Sequence, residues 1–212
     1  MLFRSKLHWL ISGLVLLATL VAGRRFRGIA RGFDWHFFAL GAAFLLLEVQ
    51  TVSRATLLFG MTWVVNAIVI SAVLVMILLA NLVAAYRPQL PRWISALGLM
   101  VTVGLLAAVP LDGFNTLAGT PKLVVTAVFL TAPVFFGGLV FIRSFAATGD
   151  KPAALGANLL GALVGGLLES LAFVTGIRAL LVLVGLFYAV ALLTSGRRAP
   201  SAATGAACAT QV

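Results

Sequence analysis

The stretch MTWVVNAIVISAVLVMILLANLVAAY, Met61–Tyr86, holds no charged residue, and its reading decides the fold. A helix rises about 1.5 Å per residue, so some twenty apolar residues cross the roughly 30 Å hydrocarbon core of a bilayer. Runs of the same kind recur on both sides of it. They predict seven spans, at 7–23, 36–50, 61–86, 93–110, 121–142, 152–174 and 177–194. The second is the shortest, and its helix is expected to continue, tilted, through the amphipathic stretch Thr51–Phe59. Pro133 predicts a kink in the fifth. Beyond Ser195 the chain turns rich in Gly, Ala, Ser and Thr. The expected organisation is therefore a transmembrane domain over 1–194 and a disordered tail over 195–212.

Composition supports the same class. Of 212 residues, 62% are hydrophobic and 9% charged, against about 25% charged in a soluble domain. A soluble fold of this length cannot hide so much apolar surface. In lipid the backbone must satisfy its own hydrogen bonds, which leaves helices or a closed barrel. A barrel shows segments of about ten residues with alternating polarity; these runs are continuous. The predicted fold class is all-α, a polytopic transmembrane bundle of about seven helices.

The net charge of +10 does not indicate nucleic acid, because the basic residues sit singly or in short clusters between apolar runs. Only Arg24, Arg25, Arg27 and Arg31 form a dense patch, suited to anionic lipid head groups. With one cysteine, Cys208, no internal disulfide forms. The two histidines, His8 and His36, and the lack of a Cys-x-x-Cys pair suggest neither zinc nor haem. The first span also reads as a signal peptide, with Arg4 and Lys6 before an apolar middle. The arginine cluster directly after Leu20-Val21-Ala22 favours a retained span.

Orientation follows from lysine and arginine. With seven spans, one side receives Arg4, Lys6, Arg54, Lys122 and Arg178, and the ten other basic residues fall on the opposite side. The richer side is expected to be cytoplasmic, placing the N-terminus outside and the C-terminus inside a cell inner membrane.

Ionisable residues inside spans are expensive and therefore informative. Two acids qualify, Glu48 and Glu169. Asn158, Gly161, Gly165 and Glu169 are spaced three, four and four, so they share one helical face. Gly161 and Gly165 form a GxxxG pair, which admits a second helix closely. Two readings fit this face: a packing seam ending in a polar residue, or a substrate or proton site lined by Asn158 and Glu169. Gly41, Leu45 and Glu48 give the matching face of the second span. The two segments share a glycine-to-glutamate pattern, and if they form an internal repeat, the two helices run in the same direction. Arg54 and Arg178 follow the two glutamates and are expected to pair with them as interfacial ion pairs. Asn66 and Asn81 are expected to bond between helices, and His36, beside Asp34 and Trp35, to anchor at the interface. No nucleophile elbow, His-Glu-x-x-His, phosphate loop or dinucleotide fingerprint occurs, so no enzyme and no cofactor is expected.

Two stretches carry a resemblance. One is DWHFFALGAAFLLLEVQ, Asp34–Gln50, continuing through LLFGMTWVVN, Leu57–Asn66. The other is Leu155–Ala162 running on to Leu168-Glu169. Together they resemble the C-terminal membrane region of bacterial multi-spanning proteins that carry a spermidine-synthase-like domain. The resemblance covers most of residues 7–194 and implies a membrane partner to an S-adenosylmethionine-type fold. That fold is not present here, which implies a stand-alone version or a fragment, and the likeness brings no catalytic residues. The leading functional expectation is a non-enzymatic membrane module that docks a membrane or soluble partner, or another copy of itself. The alternative is a small transporter with Glu48 and Glu169 as binding carboxylates.

Overall fold

The computed structural model describes residues 33–60, 62–110, 113, 119–170 and 177–195. The expected first span, the Arg24–Arg31 patch and the tail beyond Ser195 lie outside them. Six helices, and no strand, occupy the described residues: α1 (Trp35–Phe59), α2 (Trp63–Tyr86), α3 (Arg92–Ala108), α4 (Gly119–Ala146), α5 (Lys151–Glu169) and α6 (Ile177–Ser195). Four of these, α1, α2, α4 and α5, are long and apolar enough to cross a membrane. α3 and α6 are shorter apolar helices at the places of the expected fourth and seventh spans. The described residues are thus all-helical, with four membrane-capable helices among them.

The ends of these helices are written in local chemistry. Asp34 caps α1, its carboxylate accepting from the backbone N–H of His36 at 3.2 Å and of Phe37 at 3.4 Å. The helix runs unbroken through Thr51–Phe59, so the continuation expected there exists. It stops at Gly60, whose φ of 84° suits a residue without a side chain. Thr62 caps α2 by accepting from Val65 N–H at 3.2 Å. Pro88 and Pro91 bound the turn into α3. Asp150 caps α5, accepting from Ala153 N–H at 3.0 Å, with a proline in the first turn. α4 is assigned as one helix across Pro133.

α1 is central among the described helices, packing on α5, α6, α4 and α2, and its contact with α5 is the most extensive among them. Gly161 of α5 lies against the carbonyl of Phe38, Gly165 against that of Ala42, and Gly41 of α1 against that of Asn158. Residue numbers rise together along both helices, so α1 and α5 are parallel. A methyl group on Gly165 would sit 2.6 Å from the Ala42 oxygen, and one on Gly161 or Gly41 would overlap backbone outright. Interhelical attraction in lipid is mainly van der Waals contact, which falls off steeply with distance. The absent side chains therefore set how closely the two backbones approach. α2 shows the converse pattern: Leu74, Leu78 and Leu82 are exposed, and a lipid environment does not penalise them.

Gly161→Leu and Gly165→Leu should each lower stability by at least about 1–3 kcal/mol, the usual cost of overpacking. Gly161→Ala should also destabilise, because the clash is with backbone rather than a movable side chain. Gly104 and Gly185 are helical glycines with open space where a methyl group would sit, so their alanine variants should match or slightly exceed wild type. Thermal unfolding in detergent reads all five variants.

Candidate functional site

Both glutamates lie at the end of the glycine seam. On α1, Gly41 and Leu45 face α5, where Leu45 approaches Gly166, and Glu48 follows three residues after Leu45. Continuing the register that sets Gly161 on Phe38 and Gly165 on Ala42, Glu48 and Glu169 fall within about one helical turn of the same depth. Both are half-buried, as is Asn158, whose backbone carbonyl forms part of the seam. Among the described residues neither glutamate makes an ion pair.

The expected pairing of Glu48 with Arg54 is corrected by the structure. Six residues of α-helix turn a side chain through about 600°, leaving Arg54 some 120° round α1 from Glu48. Arg54 instead points into the bundle, is 7% exposed, and donates from Nη1 to the carbonyl of Leu106 at 2.6 Å. That carbonyl needs a donor from elsewhere. Its intrahelical partner would be the N–H of residue 110, and Pro110 has none. A guanidinium at the C-terminal end of α3 also opposes the partial negative charge of the helix end. The side chain of Arg178 lies outside the described residues.

His36 is the second correction. It is no interfacial anchor but a core residue, 1% exposed. Its Nδ1 lies 2.6 Å from the carbonyl of Ala191 on α6 and its Nε2 2.9 Å from Ser144 Oγ on α4. A carbonyl only accepts, so Nδ1 carries a proton; in the neutral ring Nε2 then accepts from the Ser144 hydroxyl. Phe37, Phe141 and Phe145 pack beside it, with ring centroids 5.6–6.1 Å apart, contacts of about 0.5–1.5 kcal/mol per pair. Asn66 departs from expectation too, since its buried Oδ1 has no hydrogen-bond partner.

Beside His36, at the end of the bundle where α1, α3 and α5 begin, a cavity of about 580 Å³ opens between α1, α3, α4 and α6. Arg92, Trp93, Ser95, Arg143 and Ser144 line it with His36. Arg143 also lines a neighbouring cavity of about 630 Å³, together with Asn81 and Pro88 of α2 and its following turn. From Nη2 it donates to the carbonyl of Pro88 at 3.1 Å and to that of Leu90. None of these roles followed from spacing, because each joins residues more than fifty positions apart. Only the orphan carbonyl that Pro110 creates gave a readable signal for Arg54. Among the described residues, no group of three or more His, Cys, Asp or Glu side chains is placed to hold a metal ion.

Arg54→Met should cost about 1.5–3 kcal/mol, the range for a hydrogen bond to a charged group, because Leu106 loses its donor. Arg54→Lys should recover part of it. The measurement is the thermal midpoint in detergent, and a wild-type midpoint for Arg54→Met would remove this role.

Comparison with protein-family models, with curated proteins and with solved structures finds no match to this chain.

Proposed function

We propose that the chain is a multi-pass membrane module, without catalytic machinery, that docks a partner at its basic end. The observation that carries this is an imbalance of charge. Arg87, Arg92 and Lys151 are exposed at the end of the bundle where α1, α3 and α5 start. The acids at that end, Asp34 and Asp150, are engaged with backbone N–H groups as helix caps. The opposite end carries Arg178 at the start of α6 and Lys122, which lies 5.4 Å over the Phe59 ring, while Arg54 is drawn inside onto α3. The excess of basic residues favours a cytoplasmic position for the first end, in a bacterial inner membrane with the N-terminus outside. An acidic soluble surface is the complementary partner there, and the resemblance makes a spermidine-synthase-like domain the first candidate. Because Gly161 and Gly165 are occupied by α1, a second copy would have to meet the chain through another face.

A second reading, a small transporter, is favoured by one observation, the placement of Glu48 and Glu169 at one depth across two parallel helices. Replacing both by Gln separates the two readings. Loss of uptake with unchanged thermal stability supports transport. Lower stability with no uptake to lose supports the structural role.

Two measurements test the docking module. An impermeant thiol reagent applied to intact cells should leave Cys208 unlabelled, and labelling from outside sinks the orientation. Arg87→Gln with Lys151→Gln should leave the thermal midpoint unchanged and weaken capture of a synthase-like domain several-fold. The wild-type association should fall with salt, as exposed charge pairs do. Capture insensitive to both changes would remove the basic end as the docking face.

A further inference from the structure

Arg92 and Arg143 both line the cavity beside His36, and among its described lining residues there is no carboxylate. Arg143 is only partly engaged. Its Nη2 holds the α2–α3 turn, while the buried Nη1 has no hydrogen-bond partner. Ser95, one turn into α3, is 2% exposed, lines the cavity, and has a buried hydroxyl with no partner. A helical serine usually satisfies its hydroxyl on a carbonyl of the preceding turn; this one does not. The start of α3 adds backbone donors. Pro91 stands at its N-cap and no side chain caps it, so the N–H groups of Arg92 and Trp93 have no intrahelical partner. Asp34 and Asp150 cap the other two helices that begin at this end, and neither lines the cavity.

We propose that this cavity is a binding site for a phosphate group attached to a larger body. Guanidinium, hydroxyl and helix N-terminal N–H groups are the donors that recognise phosphate oxygens, and the residues that bear them line one cavity. Its volume of about 580 Å³ is that of a site for a whole small molecule rather than a bare ion. Trp93, Val140 and Leu192 supply apolar wall for the remainder of the ligand. The phosphate comes either from a soluble phosphomonoester or from a phospholipid head group, since the cavity lies at an end of the bundle. This site shares Arg92 with the basic end on which the docking reading rests, but the docking variants, at Arg87 and Lys151, lie outside the cavity lining.

The test is calorimetric titration of the full chain in neutral detergent with three probes: glycerol phosphate, dioctanoyl phosphatidic acid and dioctanoylglycerol. A phosphate-bearing probe should bind saturably and dioctanoylglycerol should not. Binding of glycerol phosphate identifies a soluble source, and binding of phosphatidic acid alone identifies a head group. Ser95→Ala should weaken that binding about tenfold, the effect of one hydrogen bond to a charged group, and Arg92→Gln by at least as much. Arg87→Gln should keep wild-type affinity. Arg143 also holds the turn before α3, so the test uses Ser95 and Arg92, with thermal midpoints to show that both variants fold. No saturable binding of either phosphate probe, equal binding of dioctanoylglycerol, or wild-type affinity in folded Ser95→Ala and Arg92→Gln overturns the site.

Discussion

The close backbone contact between α1 and α5 is the constraint on which the remaining structure depends. Lipid tails are as apolar as leucine, so helices in a bilayer gain little by hiding leucine from them. What holds them together is contact, and contact is greatest where no side chain intervenes. Gly41, Gly161 and Gly165 provide that place. With α5 fixed on one side of α1, the other faces of α1 are left for α2, α4 and α6. Those faces carry most of its buried residues, from Phe37 and Leu40 to Leu47 and Ala55.

Once α1 is central, its two buried ionisable residues have related tasks. His36 stands near its start and Arg54 near its end, and each reaches a carbonyl in the last turns of a neighbouring helix, Ala191 on α6 and Leu106 on α3. The Leu106 carbonyl has no intrahelical donor, and in an apolar surrounding such a group is costly, whereas that of Ala191 also accepts from Thr194 Oγ1 of its own helix at 3.0 Å. Thr51 adds a link in mid-helix, its hydroxyl lying 2.8 Å from the carbonyl of Leu47 in its own helix and 3.3 Å from that of Leu130 in α4. α1 thus joins helices at both ends of the bundle through polar atoms and in the middle through close packing.

The sequence made the helical class legible because hydropathy over twenty residues is a local property. The α2 run and the caps at Asp34 and Asp150 are local in the same sense. It did not determine how long each described helix is: α3 stops before Pro110 and falls among the shorter apolar helices. Spacing placed Gly161, Gly165 and Glu169 on one helical face but could not say which helix would cover it. The pairing of Glu48 with Arg54 failed on helical geometry that the sequence already contained, since a six-residue separation sets two side chains on different faces. His36 was illegible for another reason. Next to Asp34 and Trp35 it looks interfacial, and only the packing of α4 and α6 over α1 buries it.

Unsatisfied polar atoms separate the functional end of this bundle from the structural one. Several buried polar atoms have no hydrogen-bond partner, among them Ser95 Oγ, Thr126 Oγ1, Tyr188 Oη and Arg143 Nη1. Each such group costs about 1–3 kcal/mol in stability unless something meets it. Thr126 borders a void of about 10 Å³ among mainly apolar residues, barely the room one water needs. Tyr188 Oη is set against Gly137, where a methyl group would come within 2.8 Å of it. Neither place admits a ligand, and their cost is one of packing polar side chains tightly. Ser95 and Arg143 differ because both border the same large cavity, with Arg92 at its rim. Unpaired donors on residues that line a shared space, with no carboxylate among the described lining residues, are the feature on which the proposed anion site rests.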